Sequence, residues 1–376
     1  MLRLAIFTST FDEINGQALT YKNFLKWNEE RGHTLTAIFT VATSNRVIYC
    51  KYTTVYFLRP ILPSRLPFYR DFVIGIPRLK LIKKYLLEHK CNFALITDIA
   101  PHCVLAGYLV RKMNIPYACF YHTRFIDYAT IYGKKFWGES LAKLFRFIVI
   151  TVHKWVYSRA RLIFTYSKLL SSDIQEFCNL PIYIIPGGAD QTIFRPYELK
   201  FPQKRIIYVG RVAIEKNLEV LAKVHNKLRE KGIELLWVGD GPYAEYLHHK
   251  YGIEFTGYVK YNELPRFLCK CDAFVFPSLT DAFGNVVVEA LSVGLPAIVP
   301  KNTVASEIIK KSRAGIEFNG TSPSDLYKKI LSIYETPRLW LRLHRNALNN
   351  NHNYSWDNTF TKMIKILAET VDRPEI

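Results

Sequence analysis

The chain has little from which to build cross-links. Its seven cysteines (Cys50, Cys91, Cys103, Cys119, Cys178, Cys269 and Cys271) are odd in number, scattered, and contain no C-x-x-C pair. That argues against a disulfide framework or a zinc site, and a reducing, cytoplasmic compartment fits best. Long apolar runs are also missing. The best, Phe145–His153, is far shorter than the ~20 residues needed to span a bilayer. The opening Met1–Phe7 turns polar too quickly to be expected as a signal peptide. Acid is scarce in the first half: residues 1–200 hold 27 Lys and Arg against 13 Asp and Glu, within a chain of net charge +19.

What is present is ample material for folding. The 376 residues are 49% hydrophobic, which predicts two ordered domains rather than one core or a disordered chain. The basic first half implies an anionic partner: lipid headgroups, nucleic acid or an acidic polymer. Phe145–His153 is flanked by Lys134, Lys135, Lys143, Lys154 and Arg159, with Trp137 and Trp155 nearby. Two readings stay open, a core helix with solvated flanks and an interfacial helix with basic and aromatic anchors. Ile76–Lys90, which mixes five basic residues with leucines, raises the same question.

Strand and helix patterns alternate in two series. The first has strands at Leu2–Thr8, Thr34–Val41, Phe93–Thr97, Tyr117–Tyr121, Leu162–Thr165 and Tyr183–Ile185. Its first helix, Gln17–Arg31, is closed by Gly32. Pro186-Gly187-Gly188 breaks the run, and residues 186–203 read as a linker. The second series has strands at Arg205–Val209, Leu235–Val238, Ala273–Phe276 and Ala297–Val299. A helix from Trp356 to Thr370 closes the chain. This predicts an α/β protein of two doubly wound, Rossmann-like domains (1–185 and 204–354) with a terminal segment 355–376. Ligands of such folds bind at the carboxyl ends of the strands.

The richest stretch is Thr280-Asp281-Ala282-Phe283-Gly284-Asn285-Val286-Val287-Val288-Glu289. A helix starting at Asn285 would point free backbone N–H groups at a phosphate. Glu289, one turn in, and Asp281, on the preceding loop, would offer carboxylates to hydroxyl donors on either side. The implied ligand is sugar, phosphate and sugar. Gly210-Arg211 and Lys216 follow the first strand of the second series and place two cations near the same edge. They suit a departing phosphate, or else a solvated loop. Val238-Gly239-Asp240-Gly241-Pro242 lacks the lysine of a P-loop, and reads equally as ligand contact or as a turn capping the next helix. Tyr258 is a candidate for holding a planar base. In the first series, Gly16 would let backbone approach a diphosphate, and His122 with Arg124 ends a strand at the ligand-binding edge. His102 is a weaker candidate.

In order and spacing these motifs resemble the retaining GT-B glycosyltransferases of family 4. The resemblance runs from the Asn15-Gly16 loop through Tyr121-His122-Thr123, Tyr166-Ser167-Lys168, Ile185–Asp190, Phe194-Arg195-Pro196 and Val209-Gly210-Arg211 with Lys216. It continues through Gly239–Pro242, Phe283–Glu289 and Tyr354-Ser355-Trp356. The Tyr-His-Thr form looks most like the subgroup of bacterial α-mannosyl- and glucosyltransferases acting on lipids, and sulfolipid synthases.

The resemblance implies a nucleoside-diphosphate sugar as donor, of GDP-mannose or UDP-glucose type, and a lipid or glycan acceptor. Glu289 would bind the ribose hydroxyls. Asp281 and the Phe283–Asn285 amides would meet the donor sugar and phosphate, Arg211 and Lys216 the leaving diphosphate, Gly16 its phosphates, and His122 the sugar near C6. Where the family usually has a glutamate, Asp281 stands. The resemblance also implies that the last helix crosses back onto the first domain. Metal-free, cofactor-free transfer at the inner face of an anionic membrane is the expectation. A sugar-nucleotide epimerase and a nucleic-acid binder are the competing readings. The second leaves the Asp281/Glu289 pair unexplained, and no nucleic-acid motif is present.

Overall fold

The computed structural model describes residues 1–66, 69–198 and 200–371. The chain divides into two compact units, Met1–Pro186 with the segment from Trp356 onward, and Gly187–Ser355.

In the first unit the strands are β1 (Arg3–Phe7), β2 (Leu35–Val41), β3 (Arg46–Tyr49), β4 (Thr53–Leu58), β5 (Ile61–Leu66), β6 (Tyr69–Ile76), β7 (Phe93–Ile96), β8 (Tyr117–Phe120), β9 (Ile163–Thr165) and β10 (Ile182–Ile184). Its helices are α1 (Gly16–Arg31), α2 (Leu79–Glu88), α3 (Pro101–Lys112), α4 (Phe125–Tyr157) and α5 (Lys168–Gln175). The main sheet runs β10-β9-β8-β7-β1-β2-β4-β3, parallel throughout except for β3, which pairs antiparallel with β4 at the edge. Central strands such as β1, β2 and β4 are near-continuous apolar runs, because helices cover both sheet faces. Sequence order reverses between β1 and β7, which opens a crevice at their carboxyl ends.

Local chemistry sets the limits of α1. The Asn15 side chain accepts from the Ala18 amide at the start, and Gly32, in the left-handed region, ends it.

The second unit has β11 (Arg205–Val209), β12 (Glu234–Val238), β13 (Ala273–Val275), β14 (Ala297–Pro300) and β15 (Gly315–Phe318). Between and after them lie α6 (Leu218–Ala222), α7 (His225–Glu230), α8 (Ala244–Tyr251), α9 (Leu264–Leu268), α10 (Asn285–Ser292), α11 (Val304–Ser312), α12 (Pro323–Glu335) and α13 (Pro337–Asn350). Its sheet is wholly parallel, ordered β12-β11-β13-β14-β15, so the reversal falls between β11 and β13.

The last helix, α14 (Trp356–Val371), belongs to the first unit. Phe360 packs against Phe24 and Trp27 of α1, the Trp27 indole donates to Asp357, and Lys362 donates to the Ile184 carbonyl. The tail 372–376 lies outside the described residues.

Two departures from the sequence reading stand out. Residues 42–66 and 69–76, for which the sequence pattern predicts no element, contain β3, β4 and the antiparallel pair β5 and β6. Residues 187–203, expected as a linker, fold into the second unit: Phe194 is fully buried against Tyr261, and Ala189 bridges to Ser355. An aromatic in a Pro-rich stretch is free to anchor in a core, and proline content does not report that.

Candidate active site

In the second unit the candidate residues gather at the crevice between β11 and β13. Past β11 the chain turns through Gly210 and Arg211, whose carbonyl accepts from the Tyr208 hydroxyl, and reaches the short 3-10 turn Ile214–Lys216. Past β13 it runs through Ser278 to Asp281 and into α10. Three hydrogen bonds hold these loops in place. Asn217, left-handed at φ 55°, donates through Nδ2 to the carbonyls of Pro277 and Gly320, and the Thr280 hydroxyl donates to the Glu215 carbonyl. The outcome is a direct ion pair. Lys216 Nζ donates to Asp281 Oδ1 at 2.6 Å, with only 16% and 19% of the two side chains exposed.

At the N-terminus of α10, Gly284 adopts φ 80° and ψ 63°, and no side chain caps the helix. A residue with a Cβ would be strained in this conformation. The first amides of α10 therefore face the crevice without a side-chain acceptor of their own. One turn on, Glu289 is buried at 3% exposure. Burial pushes its carboxyl up to about 8, against the opposing influence of the Tyr261 hydroxyl. Four buried oxygens here, Asp281 Oδ2, Asn285 Oδ1, Glu289 Oε1 and Ser278 Oγ, have no hydrogen-bond partner among the described residues. Natural proteins rarely leave such groups unsatisfied, so their clustering marks a place for a hydroxyl-bearing ligand.

Gly239 serves the frame. A Cβ at that position would stand 1.9 Å from the Gly210 carbonyl oxygen, so the turns after β11 and β12 touch only because side chains are missing. Gly239 also bridges to Gly257, which sets the half-exposed Tyr258 beside the β12 turn.

The first unit has its own polar cluster at its crevice. Asp98, after β7, accepts from the Ser9 amide and hydroxyl and from Gln17 Nε2. Gly16 is exposed at the first position of α1. His122, at the end of β8, is held on both ring nitrogens, Nε2 to the Tyr21 hydroxyl at 2.7 Å and Nδ1 to the Tyr166 hydroxyl at 2.5 Å. Its ring stacks on Phe120, and burial lowers its pKa to about 3. His122 is therefore a neutral, fixed group. Arg124 is engaged by Asp127 and Asp173, and His102 is buried with its Nε2 3.2 Å from the Phe39 carbonyl. Arg124 is therefore committed to these aspartates, while His102 Nδ1 has no hydrogen-bond partner among the described residues. Sequence reasoning missed Asp98, Tyr21, Asn217 and Tyr261, because single tyrosines, an asparagine and a lone aspartate carry no local pattern, and it met Tyr166 only within the Tyr166-Ser167-Lys168 motif.

Residues 14–192 match the family described as Glycosyltransferase Family 4, and residues 203–336 match Glycosyl transferases group 1. The chain belongs to the family 4 glycosyltransferases. Sulfoquinovosyl transferase SQD2 of Arabidopsis thaliana is 24% identical to this glycosyltransferase over 96% of the chain and 72% of its own length. Alpha-monoglucosyldiacylglycerol synthase of Streptococcus pneumoniae is 22% identical over 85% of the chain and 76% of its own length. The solved structure of Anabaena Alr3699/HepE in complex with UDP-glucose superposes with a TM-score of 0.70 at 12% identity, covering 98% of this chain and all of that one. The fold of the enzyme is accordingly GT-B, built from two Rossmann-like units.

Proposed function

We propose that this glycosyltransferase moves a hexose, with retention, from a nucleoside-diphosphate sugar to a hydroxyl of a lipid or lipid-linked glycan, without a metal ion. The carrying observation is the crevice of the second unit, where unsatisfied buried acceptors surround an uncapped helix N-terminus beside Lys216. Acceptors without donors call for hydroxyl groups, while amides and a lysine call for phosphate. A sugar nucleotide carries both, in that order.

In this reading Glu289 takes the ribose hydroxyls and Asp281 a hydroxyl of the transferred sugar. Arg211, Lys216 and the Phe283–Asn285 amides meet the charge that grows on the leaving diphosphate, a role that preorganised donors fill well. Gly210 and Gly239 hold the phosphate-facing turns, and Tyr258 lies against the base. Metal independence rests on the cationic and amide donors, which supply the electrostatic stabilisation a metal would otherwise give. A lipid acceptor is supported by the diacylglycerol product named for the streptococcal relative and by the basic first half of the chain.

A thermal-shift series over UDP, GDP, ADP and their sugars tests the donor. The cognate diphosphate, at a hundred times its Kd, should add about 2.7 kcal/mol of stability. A flat response to every nucleotide would overturn the reading. Incubating a radiolabelled donor without acceptor checks against epimerisation, which would yield an altered donor.

A further inference from the structure

Helix α4 is apolar on two opposite faces, and only one of them is covered. The helix breaks at Gly138 (φ 81°, ψ 176°), and the stretch after it carries the contrast. Ala142, His153, Val156 and Tyr157 are buried, and the His153 ring packs on Tyr121, Tyr157 and Phe177. That face belongs to the core of the first unit. On the opposite side, Leu141, Leu144, Ile148 and Trp155 recur at spacings of three, four and seven, with Phe145 and Phe147 beside them, and all six are exposed. Phe147 is 67% exposed. A helix apolar all round is normally enclosed, and an apolar patch of this extent on a folded surface marks a contact site.

The charges around the patch indicate what covers it. From residue 134 to 161 the chain has seven Lys and Arg (Lys134, Lys135, Lys143, Arg146, Lys154, Arg159 and Arg161) and a single acid, Glu139. Stacking two copies of this face would press like charges together. An anionic bilayer surface reverses the sign: apolar side chains enter the acyl boundary while lysine and arginine reach the headgroups. No helix of the described residues is long and apolar enough to cross a membrane, so the contact would be in the interface plane.

We infer that the outward face of α4, centred on Leu144, Phe147 and Ile148 and edged by Lys143 and Lys154, is an interfacial anchor that docks the enzyme on anionic lipid. The inference does not rest on the transfer reaction, and its test needs no turnover.

The full chain is sedimented with vesicles of phosphatidylcholine alone or with about 30% phosphatidylglycerol. Wild type should bind the anionic vesicles at least about tenfold more tightly than the neutral ones. Phe147→Ser/Ile148→Ser should lower anionic binding about tenfold or more at an unchanged melting temperature. Wild-type binding by a folded serine variant would overturn the proposal. If that variant fails to fold, Lys143→Glu/Lys154→Glu carries the test. Its preference for anionic vesicles should collapse, and a retained preference overturns the proposal. A dimer dissolved by the serine pair, with no vesicle binding by wild type, would assign the face to a second copy and equally overturn it. Donor binding by thermal shift should be unchanged in every variant, which separates failure of the anchor from failure of the active-site reading.

Discussion

Lys216 Nζ and Asp281 Oδ1 lie 2.6 Å apart, joining two motifs 65 residues distant in sequence. Each is mostly out of water, so each is costly to leave alone. The lysine is held by the aspartate, whose second oxygen has no partner among the described residues. The short side chain of Asp281 is long enough to reach the lysine.

Removing the lysine should act in two ways. Lys216→Ala is expected to lower kcat by about a hundredfold or more, and to lower the melting temperature, because Asp281 is stranded. Lys216→Ala/Asp281→Ala should regain most of the lost stability and none of the activity. Denaturant melts beside a radiolabelled transfer assay check this; an active Lys216→Ala enzyme would remove the lysine from the mechanism.

Donor affinity should depend on pH through Glu289. Its carboxyl, held up to about 8 by burial, is protonated in the free enzyme at neutral pH, whereas ribose hydroxyls bind the carboxylate. Binding therefore releases a proton. Affinity for the sugar nucleotide, whose phosphates do not titrate in this range, should fall by up to about tenfold per unit as pH drops from 8 to 6. Calorimetry in buffers of different ionisation enthalpy measures the release. Glu289→Gln should bind more weakly at pH 8 and lose the dependence.

The two units should respond to pH with opposite sign. Glu289 has a folded pKa above its ordinary 4.5, so the stability it lends the second unit is complete below about 4.5 and is lost as pH rises through about 8. His122 and His153 are depressed from 6.5 to about 3 and about 4 by burial. Their contribution to the first unit is complete above about 6.5 and is lost as pH falls toward those values. Hydrogen exchange followed separately in β1 and β11 from pH 4 to 8 reads both units. Glu289→Gln should flatten the second slope and His122→Phe should reduce the first.

His122 should not titrate between pH 5 and 8. Its ring resonances are expected to stay those of the neutral imidazole. Tyr166→Phe, which leaves Nδ1 without its hydroxyl, should destabilise the first unit by about 1–3 kcal/mol. A histidine signal with a midpoint near 6.5 assigned to His122 would show that the ring is open to water instead.

Most strands of both sheets were legible because parallel strands covered on two faces read as apolar runs bounded by turn residues. β3 to β6 and β15 were not. β3 and β4 lie at one edge of the first sheet, β15 at an edge of the second, and β5 and β6 form a two-stranded sheet, places where pairing rather than local pattern decides the structure. The residues of the second-unit site were legible in part. Asp281, Gly284, Asn285 and Glu289 sit in one segment, and a helix start can be read from its spacing. The Lys216–Asp281 pair was not legible as a contact, and neither was the pressure of Tyr261 and the core on Glu289.

The sequence by itself determined the alternation of elements, the glycines at tight turns, and the family, since these are properties of neighbours along the chain. The tertiary structure decided which groups are desolvated and which meet. It made Glu289 a carboxyl of raised pKa, froze His122 between two tyrosines, took Arg124 out of consideration through two aspartates, and left one face of α4 uncovered. Burial and cross-chain distance set those properties, and both depend on residues tens to hundreds of positions away.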